Sequence, residues 1–227
     1  MERIILIALT LALATGALAS ASKTPEKDPV QECNIGLERL QNGQFQQALE
    51  SINRCLSIPL SRDNTAYMLQ ARADTYFELK KYKLAIKDQK LSLEIAEPKD
   101  VWPWVMLGMF YRETNQFELA LEALSNAHKY DEDSPGTGPG MAVYYHTGKT
   151  YFKMGNHKKA IQAFTEGIPK QPDYGWVYYH RGLAYEALGN HELAEADFSH
   201  AHKLRPKEGY EPEIASKLSK YVNNGSQ

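Results

Sequence analysis

From about residue 30 onward, apolar residues return every three or four positions, the spacing that gathers side chains onto one face of an α-helix. The stretch 102–111 shows it best. Trp104, Leu107, Gly108 and Tyr111 fall on one stripe, and Trp102, Val105 and Met109 fall on the adjacent one. The pattern breaks at Asn42-Gly43, Asn115-Gln116, Gly155-Asn156 and Gly189-Asn190, residue types that tolerate the left-handed backbone at a helix end. Pro212 opens a further helix, predicted over 209–222, on which Ile214, Ala215, Leu218, Tyr221 and Val222 share a face, and residues 223–227 make a frayed polar tail. These elements predict an all-α chain of helices paired through short turns.

The helical pattern also repeats itself. Val143-Tyr144-Tyr145-His146-x-Gly148-x-x-Tyr151-x-x-x-Gly155-Asn156-His157-x-x-Ala160-x-x-x-Phe164 returns 34 residues later as Val177-Tyr178-Tyr179-His180-x-Gly182-x-x-Tyr185-x-x-x-Gly189-Asn190-His191-x-x-Ala194-x-x-x-Phe198. Trp104-x-x-Leu107-Gly108-x-x-Tyr111, followed by Ala120 and Leu124, is a third copy. Weaker copies precede it at Ile35-Gly36 with Ala48 and Ile52, and at Arg72-Ala73-x-x-Tyr76 with Ala85. Ala48, Ala85, Ala120, Ala160 and Ala194 mark five copies spaced 37, 35, 40 and 34 residues apart. The longer steps fall on the loops Pro59–Thr65 and Asp131–Gly140. This period and these offsets resemble the tetratricopeptide repeat.

The resemblance implies a right-handed superhelical solenoid of about five helix-turn-helix repeats, at residues 30–60, 66–98, 101–133, 141–172 and 175–206, closed by the C-terminal helix. A physical reason stands behind the recurring types. Gly108, Gly148 and Gly182 face the small alanine of the second helix where two helices cross too closely for larger side chains, and residues such as Tyr111 and Leu124 fill the space one turn away. Each pair leaves one apolar face open, so neighbours must stack.

The first residues differ in kind. Ile4–Ala14 is apolar except for Thr10, and Ala17-Leu18-Ala19 has the form of a signal-peptidase site, so residues 1–19 read as a secretory signal and 20–29 as a flexible leader. Retention as an anchor is disfavoured because Thr15, Gly16 and Ser20 dilute a run that would need about 20 firmly apolar residues. Export to a periplasm or the cell exterior permits oxidation, which points to a disulfide between Cys33 and Cys55, the only two cysteines.

With 43% hydrophobic and 24% charged residues and a formal charge of −2, the chain has enough apolar material for a continuous core and no basic excess that would draw it to nucleic acid. The trio Lys80, Lys81 and Lys83 reads as a solvated helix end. His146 with His180, and His157 with His191, recur through duplication, and no His-Glu-x-x-His, paired Cys-x-x-Cys or carboxylate cluster accompanies them. His200 and His202 suit the end of a helix. Gly136-x-Gly138-x-Gly140 lies between prolines as an inter-repeat loop. No metal, cofactor or enzymatic activity is expected.

What remains is the second apolar stripe of each first helix. In the resembling family the corresponding face lines a concave groove that holds extended or helical peptides. Carried over, it comprises Val30, Leu37 and Leu40 in the first copy; Tyr67, Gln70, Asp74 and Phe77 in the second; Trp102, Val105, Met109 and Arg112 in the third. The fourth copy adds Tyr145, Lys149 and Phe152, and the fifth Trp176, Tyr179, Leu183 and Glu186. The family's clamp for chaperone C-termini is missing, since its places hold Cys33, Leu37, Val105 and Met109. The expected function is an exported adaptor binding an apolar or aromatic-bearing segment of a protein partner. The alternative is a structural spacer that self-associates through the same surface into a homo-oligomer.

Overall fold

The computed structural model describes residues 29–98, 100–133, 140–204 and 209–221, which are helical with no strand among them. The signal sequence, most of the leader, the glycine-proline loop at 134–139, Val222 and the C-terminal tail lie outside the described residues. Residues Met1–Ile95 and Ala96–Gln227 form two separate units. The first holds α1 (Pro29–Gln41), α2 (Phe45–Cys55), α3 (Arg62–Glu78) and α4 (Tyr82–Ile95). The second holds α5 (Trp102–Glu113), α6 (Phe117–Asp133), α7 (Gly140–Lys153), α8 (His157–Gly167), α9 (Gly175–Ala187), α10 (His191–Lys203) and α11 (Pro212–Ser219), with a 3-10 turn at Ile168–Lys170. The odd-numbered helices α1 to α9 are the first members of the helix pairs.

Every pair turns in the same way. Gly43 (φ 71°) and Lys80 (φ 58°) in the first unit, and Asn115 (57°), Gly155 (75°) and Gly189 (74°) in the second, take the left-handed conformation. The next residue closes the helix by donating its N–H five residues back, as Gln44 does to the Arg39 carbonyl at 2.8 Å and Asn190 to that of Tyr185 at 2.9 Å. Lys80 is the exception by type. A side chain at positive φ costs about 1–2 kcal/mol relative to the right-handed helix, so the exposed helix end expected at Lys80-Lys81 carries a strained residue as well as charge.

Across four of the five pairs the fit is too close for a Cβ, while the α3–α4 pair accommodates a fully buried Ala73 at the same place. One added at Gly182 would meet the Phe198 ring at 2.7 Å, and one at Gly108 would meet Leu124 Cγ at 2.8 Å. Ala48, Ala85, Ala120 and Ala160 are fully buried. Beside this contact lies a polar lock that differs between copies. Arg72 Nε and Nη2 grip Asp88 of α4 at 2.6 and 3.1 Å while Nη1 reaches Asn53 of α2 at 2.9 Å. The same arrangement returns in the second unit, where Arg181 holds Asp197 of α10 at 2.8 and 2.7 Å and Thr165 of α8 at 3.0 Å. One guanidinium thus ties its own hairpin together and fastens it to the preceding one. The equivalent places in the third copy hold Leu107 and Ala123, both buried.

The ends differ. Cys33 and Cys55 form a disulfide between α1 and α2 with their Cα atoms 4.9 Å apart, and Glu32 accepts from Arg54 Nε alongside at 3.0 Å. At the other end α11 is shorter than the 209–222 read from the sequence, yet Leu218 is fully buried and Tyr221, already in the turn, packs on Phe198 with ring centroids 4.9 Å apart. Tyr210 OH donates to the Ala201 carbonyl at 2.9 Å and seats the last helix under α10.

Two outcomes follow for stability. Asp197→Ala strands a largely buried guanidinium and should cost about 3 kcal/mol or more, whereas Arg181→Leu with Asp197→Ala, which copies the third repeat, should return to within about 1 kcal/mol of the parent. Urea unfolding of the four members of the cycle decides it. Replacing both cysteines with serine should lower the protection of α1–α4 by about 3 kcal/mol in the chain-entropy account, read by hydrogen exchange.

Candidate partner-binding surface

In the first unit the predicted residues lie along α3 at helical spacing. Tyr67, Gln70, Asp74 and Phe77 are all half-buried, and Leu37 and Leu40 of α1 are half-buried too. Val30 falls outside the residues whose side chains are described. Phe77 packs against Tyr82 with centroids 5.5 Å apart. Asp74 is the acidic residue among them: its Oδ1 is cut off from solvent and has no hydrogen-bond partner. Burial, and then the charge of Glu78, pushes its carboxyl up to about 7. The Tyr67 phenol is raised as well, by burial and then by Asp74.

In the second unit the predicted set divides in two. Val105, Met109, Arg112, Tyr145 and Tyr179 are buried, with Tyr145 at 1% exposure. Trp102, Lys149, Phe152, Trp176, Leu183 and Glu186 are half-buried and offer area to a partner. Tyr145 is the hub of an aromatic cluster. His146, Tyr174 and His180 meet it edge-on at centroid distances of 5.1, 5.3 and 5.4 Å, and Lys149 Nζ stands 5.0 Å from the ring centroid. Trp176 stacks on His180 at 6.4 Å and meets Tyr210 edge-on at 4.8 Å, so part of its area seals the closing end of the unit.

A polar chain threads the same wall. Arg112, 3% exposed, approaches His146 Nδ1 with Nη1 at 3.2 Å. A guanidinium can only donate, so Nδ1 is the acceptor and the ring is the neutral Nε2–H tautomer. Burial, reinforced by Arg112, Lys149 and His180, holds His146 well below the ordinary histidine range, and burial with Lys149 and Arg112 does the same to His180. Burial pushes the Glu113 carboxyl up, but hydrogen bonding to Lys153 and the charge of Arg112 outweigh it and leave it lowered. Glu186 is taken by Lys217 of α11 at 2.5 Å.

His146 and His180 thus belong to the wall, although in the sequence duplication alone accounts for their spacing. The repeated Arg181–Asp197 and Arg72–Asp88 locks were likewise not read from it. Their signal was an arginine just before the small residue of the first helix and an aspartate 16 positions on, present in two of five copies. Among the described residues no group of three or more His, Cys, Asp or Glu side chains could hold a metal ion, and no helix is long and apolar enough to cross a membrane.

Comparison with known proteins places this geometry. Tetratricopeptide repeats match residues 33–61, 66–98 and 103–134; a further tetratricopeptide repeat matches 175–208, and a TPR repeat matches 148–189. Together these matches take in more than half of the chain. Among solved structures the chain is similar to a crystal structure of MamA protein, at 24% identity and a TM-score of 0.60, over 85% of this chain and 94% of that one. It is similar to a MamA RS-1 double mutant at 19% identity and a TM-score of 0.63, over 80% and 96%. It is also similar to YrrB, described as a TPR protein with an unusual peptide-binding site, at 19% identity and a TM-score of 0.57, over 86% and 94%. At these identities the likeness is one of fold. No curated protein matches.

The buried titrating groups give the two units opposite responses to acid. The Asp74 carboxyl, at about 7 against an ordinary 3.8, is protonated in the folded chain before the unfolded one, so the first unit gains stability as pH falls through 7 toward 4. The histidines run the other way: below 6.5 the unfolded chain takes up protons that folded His146 and His180 refuse, and the second unit loses stability. Asp74→Asn should therefore raise the melting midpoint clearly at pH 7.5 and by less at pH 5, and His180→Gln should reduce the loss on acidification. Melts at the two pH values check both.

Proposed function

We propose a binding function for this chain, which belongs to the tetratricopeptide-repeat family: it is an exported adaptor that holds an apolar or aromatic-bearing segment of a protein partner on its first-helix faces. The observation that carries the reading is the half-buried set Trp102, Phe152, Trp176 and Leu183 on α5, α7 and α9. Large rings that keep part of their area in water, set among fully buried neighbours, supply the rigid anchors that dominate protein interfaces. The peptide-binding site in the description of YrrB supports the same use of this fold. Export is supported by the apolar N-terminal run with its Ala17-Leu18-Ala19 site and by the Cys33–Cys55 disulfide, which an oxidising compartment sustains.

The burial pattern sharpens which side chains the partner touches. Tyr145 at 1% exposure belongs to the core of its unit, so its contribution to binding is to hold Lys149 and His180 in place. Trp102 and Phe152 keep exposed area. Trp102→Ala and Phe152→Ala should weaken capture of the partner, crosslinked and recovered from the envelope fraction of the source cells, about tenfold or more with midpoints nearly unchanged. Tyr145→Ala should instead cost about 3 kcal/mol or more of stability. Folded Trp102 and Phe152 variants that capture as well as the parent would place the partner elsewhere. A stable dimer in light scattering, broken by the same two changes, would mean that the surface serves self-association.

A further inference from the structure

The second helix of the second pair carries a basic face that the packing of its unit does not use. Ala85, Asp88, Gln89 and Ser92 of α4 are buried, and Asp88 is held there by Arg72 of α3. The opposite side is exposed and holds Lys83, Lys87 and Lys90 at i, i+4 and i+7, with Lys80 and Lys81 in the turn before the helix. Leu84 and Leu91 stand beside Lys87, three residues before it and four after, at 43% and 37% exposure. None of the five ammonium groups has an ion pair or a hydrogen bond among the described residues. On α4 and its leading turn, five cations thus face water against one exposed acid, Glu94, although the whole chain carries a formal charge of −2. Lys80, Lys81 and Lys83 also crowd the N-terminal end of a helix with no acid in its first turn, where the dipole disfavours cations and attracts anions.

Residue type identifies what such a face takes. Arginine would offer a planar fork suited to one carboxylate, but Arg72 is consumed by Asp88 and Asn53, and the exposed charges are all lysine, point charges on flexible stems without fixed geometry. From Lys83 to Lys90 they span about 10 Å of helix. A layer of many phosphates satisfies them without a preformed pocket, and leucines set between lysine stems leave water by entering just below that layer. We propose that the outward face of α4 docks on an anionic lipid surface, with its lysines among the headgroups and Leu84 and Leu91 beneath them. The attachment is peripheral and reversible, since two leucines and five lysines hold the helix at the interface and do not carry it across. It goes beyond the adaptor reading and does not depend on it, because the face lies on a second helix and leaves the first-helix stripe to the partner.

The test is flotation of the full chain with extruded vesicles of phosphatidylcholine, alone or mixed with phosphatidylglycerol. Neutral vesicles register any binding through the apolar N-terminal run, which substitutions in α4 leave unaltered. The parent should partition onto the anionic vesicles on the order of a hundredfold more strongly, and the excess should fall steeply as salt is raised. Each lysine near such a surface contributes roughly fivefold, so Lys83→Gln combined with Lys87→Gln and Lys90→Gln should remove most of that excess. Leu84→Ser with Leu91→Ser, which keeps every charge, should weaken anionic binding about tenfold. Both sets change exposed positions, and circular dichroism checks that the variants fold. Equal partition of the parent onto the two compositions, or anionic binding unchanged in the lysine triple variant, would overturn the proposal. So would a parent that binds soluble polyglutamate as tightly as anionic vesicles and is indifferent to the leucine changes in both, which would assign the face to an acidic protein partner instead.

Discussion

A methyl group at Gly182 would stand 2.7 Å from the Phe198 ring, and one at Gly36 would stand 2.7 Å from Ile52. Contacts this close fix how the two helices of a pair cross, because nothing larger than hydrogen fits on one side and a large apolar residue must fill the other. Much else depends on it. The crossing sets which residues of the first helix point inward, and the left-handed turn at Gly155 or Gly189 follows from the need to reverse the chain within three residues. A pair built this way covers one side of each helix only. The second stripe is therefore available by construction, and each pair must spend part of it on its neighbour before any is left for a partner.

The copies then diverge in how they secure that crossing. Arg72 with Asp88 and Arg181 with Asp197 use a bidentate ion pair, while Leu107 with Ala123 uses hydrocarbon in the same places. Ion pairs of this kind add little net stability once desolvation is counted. They add direction: the third guanidinium nitrogen reaches Asn53 or Thr165 on the preceding hairpin, which an aliphatic side chain cannot do. The polar version thus sets how one pair sits on the one before it.

The sequence disclosed the fold because its informative residues act locally: small residues at the crossing, glycine or asparagine at the turns, apolar stripes at helical spacing. Lys80 shows where that reading stops. Nothing in lysine signals a left-handed turn, and the hairpin imposes it because the helices on both sides are already fixed. The predicted surface was legible as a stripe but not as a depth profile. Tyr145 and Phe152 belong to the same predicted face, yet one is buried and the other half-exposed. How much of a stripe a neighbouring helix covers depends on packing between repeats, which has no pattern along one chain. The contact of Arg112 with His146 was out of reach for the same reason, since it joins two first helices across a break in the repeat period.

Polar groups left incompletely matched on these faces bear on function through the same accounting that makes them costly to the fold. Asp74 Oδ1 in the first unit lacks a donor although it is withdrawn from bulk water. A chain selected for stability alone would do better with hydrocarbon there, as the buried Val105 and Met109 on the corresponding stripe of α5 illustrate. Withdrawal from water also strengthens any charge or hydrogen bond completed there later, because the local dielectric is low and the donor or acceptor is already held in position. The cost is borne in the free protein and returned when a ligand arrives. Under the proposed function the half-buried rings would supply most of the binding free energy, and an unmatched group such as Asp74 would bear on which segments fit beside them.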